Sequence, residues 1–175
     1  MPPPSPVIES LIRDVPNFPK PGIVFKDITP LLQDPRGLPE VLARFERLVP
    51  AAGYDLVCGI ESRGFIFGAA LAARVGKGFI PVRKPGKLPY KTAQESYELE
   101  YGQDTIEIHV DAVKPGQRVL IVDDLLATGG TLAATANLIR RVGGNPMGAA
   151  VVIELEFLQG RRRLGGLPVH SLIRY

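Results

Sequence analysis

One short stretch constrains the fold of this chain more than any other. It is an apolar, β-branched run that ends in two carboxylates and a glycine turn. Val119, Leu120, Ile121 and Val122 form an uninterrupted apolar series, the pattern of a strand buried on both faces. Asp123 and Asp124 stand where that strand should end. Ala127, Thr128, Gly129, Gly130 and Thr131 then make a small turn, and a helical pattern covers 132–141. A doubly buried strand that hands over to a helix belongs in a parallel sheet with helical cover. The other apolar runs repeat this alternation. Strands are expected at 56–60, 78–82, 105–109, 148–154 and 169–173, and helices at 5–13, 39–48 and 64–75. The expected fold class is α/β: an open, mainly parallel sheet flanked by helices, in one domain spanning 1–175.

Ligands of such sheets bind at the carboxyl ends of the strands, and N–H groups at a helix start attract anions. Gly129 and Gly130 let backbone N–H groups approach an anion without an intervening Cβ, and Thr128 and Thr131 add hydroxyl donors. Adjacent carboxylates repel a phosphate unless something separates them. A ribose does so: its 2′- and 3′-hydroxyls donate to Asp123 and Asp124 while its 5′-phosphate reaches the turn. One plainer reading is a strand closed by an Asp-Asp turn before a well-capped helix. A Walker B strand is another, but the chain has no Gly-x-x-x-x-Gly-Lys-Ser/Thr, which disfavours a P-loop NTPase. A second strand-end turn, Glu61, Ser62, Arg63 and Gly64, also offers N–H groups, and Arg63 supplies a planar fork for phosphate. Its alternative is Ser62 as an N-cap beside a surface arginine.

Residues 83–104 are polar, weakly periodic and longer than an ordinary connection, as binding loops and lids are. A solvated hairpin is the other reading. The proline-dense stretch 6–35 reads as a small N-terminal lobe, and 1–6 lacks the basic and apolar regions of a signal peptide. No apolar run is long enough to span a bilayer. The single cysteine, Cys58, lies in a strand pattern and fits a buried thiol in a reducing compartment. His109 and His170 lack metal-ligand spacing and read as structural. A formal charge of +3 is too small to argue for nucleic acid. The basic residues cluster locally, at Arg83, Lys84, Lys87 and Lys91 and again at Arg161, Arg162 and Arg163.

The stretch from Val119 to Thr131 resembles the phosphoribosyl-diphosphate motif of the type I phosphoribosyltransferases, in the variant of the adenine-specific members. Segments 17–30, 59–65, 82–89 and 96–102 extend the resemblance over nearly the whole chain. The first and last of these separate the adenine branch from its relatives. The resemblance implies a type I phosphoribosyltransferase fold with a base-binding N-terminal hood at about 6–35 and a flexible lid at about 83–104. It implies conversion of adenine and 5-phosphoribosyl 1-diphosphate to AMP and pyrophosphate, a purine salvage step. Phe25 would stack on adenine while backbone groups of Val24 and Lys26 read its Watson–Crick edge; many relatives carry arginine where Lys26 stands. Ser62, Arg63, Arg83, Lys87 and Tyr101 would meet the pyrophosphate, often beside a non-proline cis peptide. Ala127, Thr128, Gly129, Gly130 and Thr131 would hold the 5′-phosphate. Glu100 would relay a proton at purine N7, with Arg63 as the second catalytic group.

Pyrophosphate is a poor leaving group unless its charge is neutralised, so Mg²⁺ is implied, held mainly by substrate and water rather than by a protein cage. The resemblance further implies a cytoplasmic homodimer with no nucleic-acid or membrane partner. Two other readings stay open. An oxopurine phosphoribosyltransferase usually places a lysine or an acid to read the 6-oxo group, and the contexts of Phe25 and Glu100 argue for adenine instead. A regulatory protein that binds phosphoribosyl diphosphate and nucleic acid needs an added module or a broad basic face, and the chain has neither.

Overall fold

The computed structural model describes residues 6–98 and 102–175. A short helix, α1 (Pro6–Ser10), leads into a two-stranded antiparallel ribbon of β1 (Arg13–Pro16) and β2 (Val24–Asp27). The helix expected over 5–13 stops at Ser10, because the backbone from Arg13 onward pairs with β2 instead. Helices α2 (Thr29–Gln33) and α3 (Gly37–Leu48) follow. The α3 sequence places Val41, Leu42 and Phe45 on one stripe, and all three are buried. Strand β3 (Leu56–Ile60), helix α4 (Arg63–Val75) and strand β4 (Gly78–Val82) form the first β–α–β unit, close to its expected bounds.

Strands β5 (Thr92–Glu98) and β6 (Gln103–His109) pair antiparallel, with Tyr97 opposite Asp104. Within the stretch 83–104, residues 92–98 and 103–104 belong to this antiparallel pair. Cross-strand polar pairs such as Ser96 with Thr105 hold it, a period-2 pattern too weak to read in the sequence alone. Then come β7 (Arg118–Leu126), α5 (Gly130–Arg141), β8 (Asn145–Glu154) and β9 (Val169–Arg174). Strand β7 runs past Asp123 and Asp124, which were expected to end it. The reason is its neighbour: β8 continues to Glu154, so Asp123, Leu125 and Leu126 still find ladder partners in Val151, Ile153 and Glu154.

The five long-range strands form one parallel sheet in the order β4-β3-β7-β8-β9. Strand alternation sends Val119, Ile121, Cys58 and Ile60 into a core closed by Leu132, Leu138 and Ile139 of α5 and by Ile106 and Ile108 of β6. Leu120, Val122 and Val57 enter the opposite core, closed by Phe45, Phe67 and Leu71 and by Ile8 and Leu31. Each such buried Leu, Ile or Phe contributes about 1.5–3 kcal/mol. At the start of α4, a Cβ on Gly64 would stand 2.8 Å from the Val122 carbonyl oxygen and 2.9 Å from Asp123 Oδ1. Glycine there lets the helix start press directly against the carboxylate end of β7.

Candidate active site

The carboxyl ends of β3 and β7 open into a cavity of about 520 Å³. Two turns face each other across it. One is Glu61, Ser62 and Arg63, between β3 and α4, with a cis peptide between Glu61 and Ser62. The other is Ala127, Thr128, Gly129, Gly130 and Thr131, between β7 and α5. Gly129 has φ +83°, a left-handed conformation that suits glycine and aims the following N–H groups at the start of α5 toward the cavity. Helix α5 spans three turns, so its first amides and its dipole favour an anion at that end.

Asp123 and Asp124 line the space between the turns. Asp124 is only 6% exposed and receives the Arg63 guanidinium at 2.7 Å. Asp123 Oδ1 accepts the Asp124 N–H at 2.9 Å. Burial pushes the Asp123 carboxyl well above its ordinary value, and the charge of Asp124 adds to this while Arg63 opposes it. Burial raises Asp124 as well, against the pull of Arg63. One arginine for two desolvated carboxylates leaves the pair short of positive charge or donors. A ligand with hydroxyls or a cation supplies what is missing.

The hairpin closes a third side. Lys84 Nζ contacts Asp104, whose Oδ2 also accepts from the Tyr97 hydroxyl at 3.2 Å, and the Thr131 hydroxyl donates to Tyr97 at 3.1 Å. Hydrogen bonds therefore run from the hairpin to the glycine turn. Burial draws the Asp104 carboxyl up, but Lys84 and the Thr105 N–H outweigh it and hold it below its ordinary value. Lys84, Tyr97 and Asp104 line the cavity; Lys84 belongs to the basic cluster noted in the sequence, whereas Tyr97 and Asp104 are not among the residues expected in the site. The basic cluster beginning at Arg83 was the available signal for Lys84; the other two are brought in by hairpin register.

Arg83 and Lys87 do not figure among the described lining residues. Arg83 turns away to Glu61 at 3.1 Å and to the Lys87 carbonyl at 3.0 Å. Glu61 also accepts the Lys84 N–H at 2.9 Å. Arg83 thus braces the Ser62 turn through Glu61, while Lys84 is the member of the basic cluster that lines the cavity. Glu100 and Tyr101 lie outside the described residues. Phe25 is half-buried on β2, with the Arg63 guanidinium carbon 5.4 Å from its ring centroid and Phe18 packed edge-on at 5.3 Å. The ribbon therefore meets the cavity at Arg63. Val24 is exposed, and Lys26 bonds Asp14 at 2.7 Å and lies over the Tyr175 ring. Cys58 is buried, and desolvation together with the Asp123 charge pushes its thiol up, so it is inert. No described helix is long and apolar enough to cross a membrane.

Comparison with known proteins agrees with this geometry. A family model for the phosphoribosyl transferase domain matches residues 50–164. An adenine phosphoribosyltransferase of Acidobacterium capsulatum is 55% identical over 168 residues, covering 96% of this chain and 93% of that protein. The crystal structure of adenine phosphoribosyltransferase from Thermoanaerobacter pseudethanolicus superposes with a TM-score of 0.93 at 51% identity, covering 96% of this chain and 98% of the other. The Saccharomyces cerevisiae enzyme, crystallised with adenine and an imino-altritol bisphosphate, has a TM-score of 0.90 at 40% identity, with coverage of 95% and 96%.

Proposed function

The chain belongs to the phosphoribosyltransferase family, among the adenine phosphoribosyltransferases, and on that premise we propose how its residues divide the work. The reaction converts adenine and 5-phosphoribosyl 1-diphosphate to AMP and pyrophosphate, a step of purine salvage. The carrying observation is the pair of opposed turns with Asp123 and Asp124 between them. The Gly129 turn and the first amides of α5 hold the 5′-phosphate, assisted by Thr128 and Thr131. Asp123 and Asp124 accept the ribose hydroxyls, which replace the missing donors without adding charge. Ser62 and Arg63, with Lys84 in the place expected for Arg83, face the diphosphate. Lys84 is released from Asp104 as the more strongly charged anion arrives.

As pyrophosphate departs, the ribose becomes oxocarbenium-like and adenine N9 attacks C1′. Phe25 at the cavity mouth stacks on the base. Val24 pairs with Pro16, which has no N–H to donate. Antiparallel ladders alternate bonded and unbonded pairs. That alternation supports an arrangement in which Val24 and Lys26 turn their backbone groups to the free edge and read the adenine edge there. Glu100, from the resemblance, takes the proton that N7 sheds as the purine becomes cationic, and Tyr101 helps to close the hairpin over the site as a lid. Glu100→Gln is expected to lower kcat by about 10²–10⁴-fold with modest change in KM for phosphoribosyl diphosphate. Single-turnover rates within a few-fold of wild type would remove Glu100 from this role.

Among the described residues no cluster of three or more His, Cys, Asp or Glu could cage a metal, while Asp123 and Asp124 stand side by side in the cavity lining. That donor set suits Mg²⁺, which keeps several waters and binds through one or two carboxylates plus substrate oxygens. Held there by Asp123 and Asp124, it would neutralise the charge of the leaving diphosphate. We extend the reading to a homodimer in the cytoplasm, supported by the family resemblance and by a buried, unpaired Cys58; sedimentation should give twice the mass of one chain. The deciding assay compares pyrophosphate release with adenine, hypoxanthine and guanine. Adenine should win by about 10²-fold or more in kcat/KM. Comparable rates with hypoxanthine would assign the site to an oxopurine.

A further inference from the structure

Packed against the glycine turn, outside the residues that line the cavity, lies a segment that contains none of the expected site residues. It is the short 3₁₀ helix Gly160–Leu164. Gly160 is buried against the turn. A Cβ on Gly129 would collide with the Gly160 carbonyl oxygen and stand 3.0 Å from its carbonyl carbon. The relation is reciprocal: a Cβ on Gly160 would collide with the Ala127 carbonyl oxygen and stand 3.0 Å from the Gly129 nitrogen. Two backbones therefore touch with no side chain between them, so the position of one fixes the position of the other.

The next residue is tied down. Arg161 donates from Nε and Nη2 to the two carboxylate oxygens of Glu154, at 2.6 and 2.7 Å, from Nη1 to the Val169 carbonyl at 3.0 Å, and from Nη2 to the Ser171 hydroxyl at 3.3 Å. Glu154 is 4% exposed and ends β8; Ser171 lies on β9 and donates to Glu154 at 2.6 Å. A bidentate fork onto a buried carboxylate has one geometry, unlike a surface ion pair. Burial draws Glu154 up, yet Arg161 and Ser171 outweigh it and hold the carboxyl below its ordinary value, so the fork stays charged on both sides. Leu164 anchors the far end of the segment in the core.

We propose that Gly160, held by the Arg161–Glu154 fork, is the positioning residue for the 5′-phosphate turn: the sheet edge formed by β8 and β9 sets the turn through a glycine–glycine contact. The proposal rests on the assignment of that turn to the 5′-phosphate. An anion site made of converging N–H groups depends on their mutual placement, and displacement by even a few tenths of an ångström weakens several bonds together. The pyrophosphate side, at Ser62 and Lys84, is carried by the turn after β3 and the loop after β4, and its link to the glycine turn runs through the hydroxyls of Tyr97 and Thr131 rather than through the Gly160 backbone.

The test uses the full chain and measures binding by calorimetry with AMP, ribose 5-phosphate and pyrophosphate. Gly160→Ala should weaken AMP and ribose 5-phosphate at least tenfold while pyrophosphate stays within twofold. Arg161→Lys keeps the charge but loses the fork, and should weaken the same two ligands several-fold, again sparing pyrophosphate. Arg161→Lys decides the matter alone if Gly160→Ala does not fold. Unchanged AMP affinity in the folded variants overturns the proposal, and so does an equal loss for pyrophosphate, which would signal general loosening. Failure of the wild type to bind ribose 5-phosphate would instead strike the assignment of the turn itself.

Discussion

Burial of Asp123 works against the fold when its carboxyl is ionised. Its carboxyl is raised by burial and by the Asp124 charge, so the ionised form is disfavoured in the folded chain. An unfolded aspartate titrates near about 3.9. The stability contributed by the protonated group is therefore complete below that value, and it is lost as pH rises toward the higher folded value. Asp123→Asn removes the charge and keeps the shape. It should raise the melting temperature, more at pH 8 than at pH 4, by about 2–4 °C for each kcal/mol recovered. Affinity for phosphoribosyl diphosphate should fall by about 1.5–3 kcal/mol, the worth of a charged hydrogen bond. Thermal melts at the two pH values with parallel titrations check both halves; a variant less stable than wild type at pH 8 would refute the first. Asp123, Asp124, Gly129 and Gly130 were readable because the chemistry sits in consecutive residues on a strand–turn–helix path. Tyr97 and Asp104 were not, because their meeting depends on the hairpin register that sets them opposite each other. Arg83 was expected at the pyrophosphate from the resemblance and its place in the basic cluster; three-dimensional placement shows it bound to Glu61.

The loop that presents Lys84 is held by one buried acid. Glu107 on β6 is 2% exposed, and its carboxylate accepts from the N–H groups of Gly86 at 3.0 Å and Leu88 at 3.4 Å, from the Thr92 hydroxyl at 3.1 Å and from the Gln94 amide at 3.1 Å. Its backbone exchanges two further bonds with Arg83. Glu107→Gln puts an NH₂ where a donor must be accepted, which costs about 1–3 kcal/mol. Urea unfolding should show that loss. Amide exchange at Gly86 and Leu88 should quicken, and KM for phosphoribosyl diphosphate should rise while KM for adenine holds. Unaltered exchange at both amides would show that the loop keeps its shape by other means. Here too the reach of sequence reasoning is clear in particulars. The parallel strands were evident from unbroken apolar runs. The overrun of β7 to Leu126 was not, since it depends on the length of β8 beside it. The ribbon of β1 and β2 was hidden by prolines that break any strand pattern.

The cavity lies between the sheet ends and the hairpin, and the N-terminal ribbon adjoins it through Phe25 beside Arg63. A ligand that touches all three should stabilise the molecule as a whole. AMP at about 100 times its Kd should add about 2.7 kcal/mol and raise the melting temperature by about 5–11 °C, measured by differential scanning fluorimetry. No shift at saturation would contradict a site built across these units. Their division of labour has a further consequence. The turns proposed to cradle sugar and phosphate stand at the carboxyl ends of the parallel strands, whereas Val24, Phe25 and Lys26, proposed to read the base, belong to a separate two-stranded ribbon. Appetite for a particular base and the machinery of transfer are thus written in different modules. A lineage could retune the first by grafting a new ribbon, and leave the second as inherited.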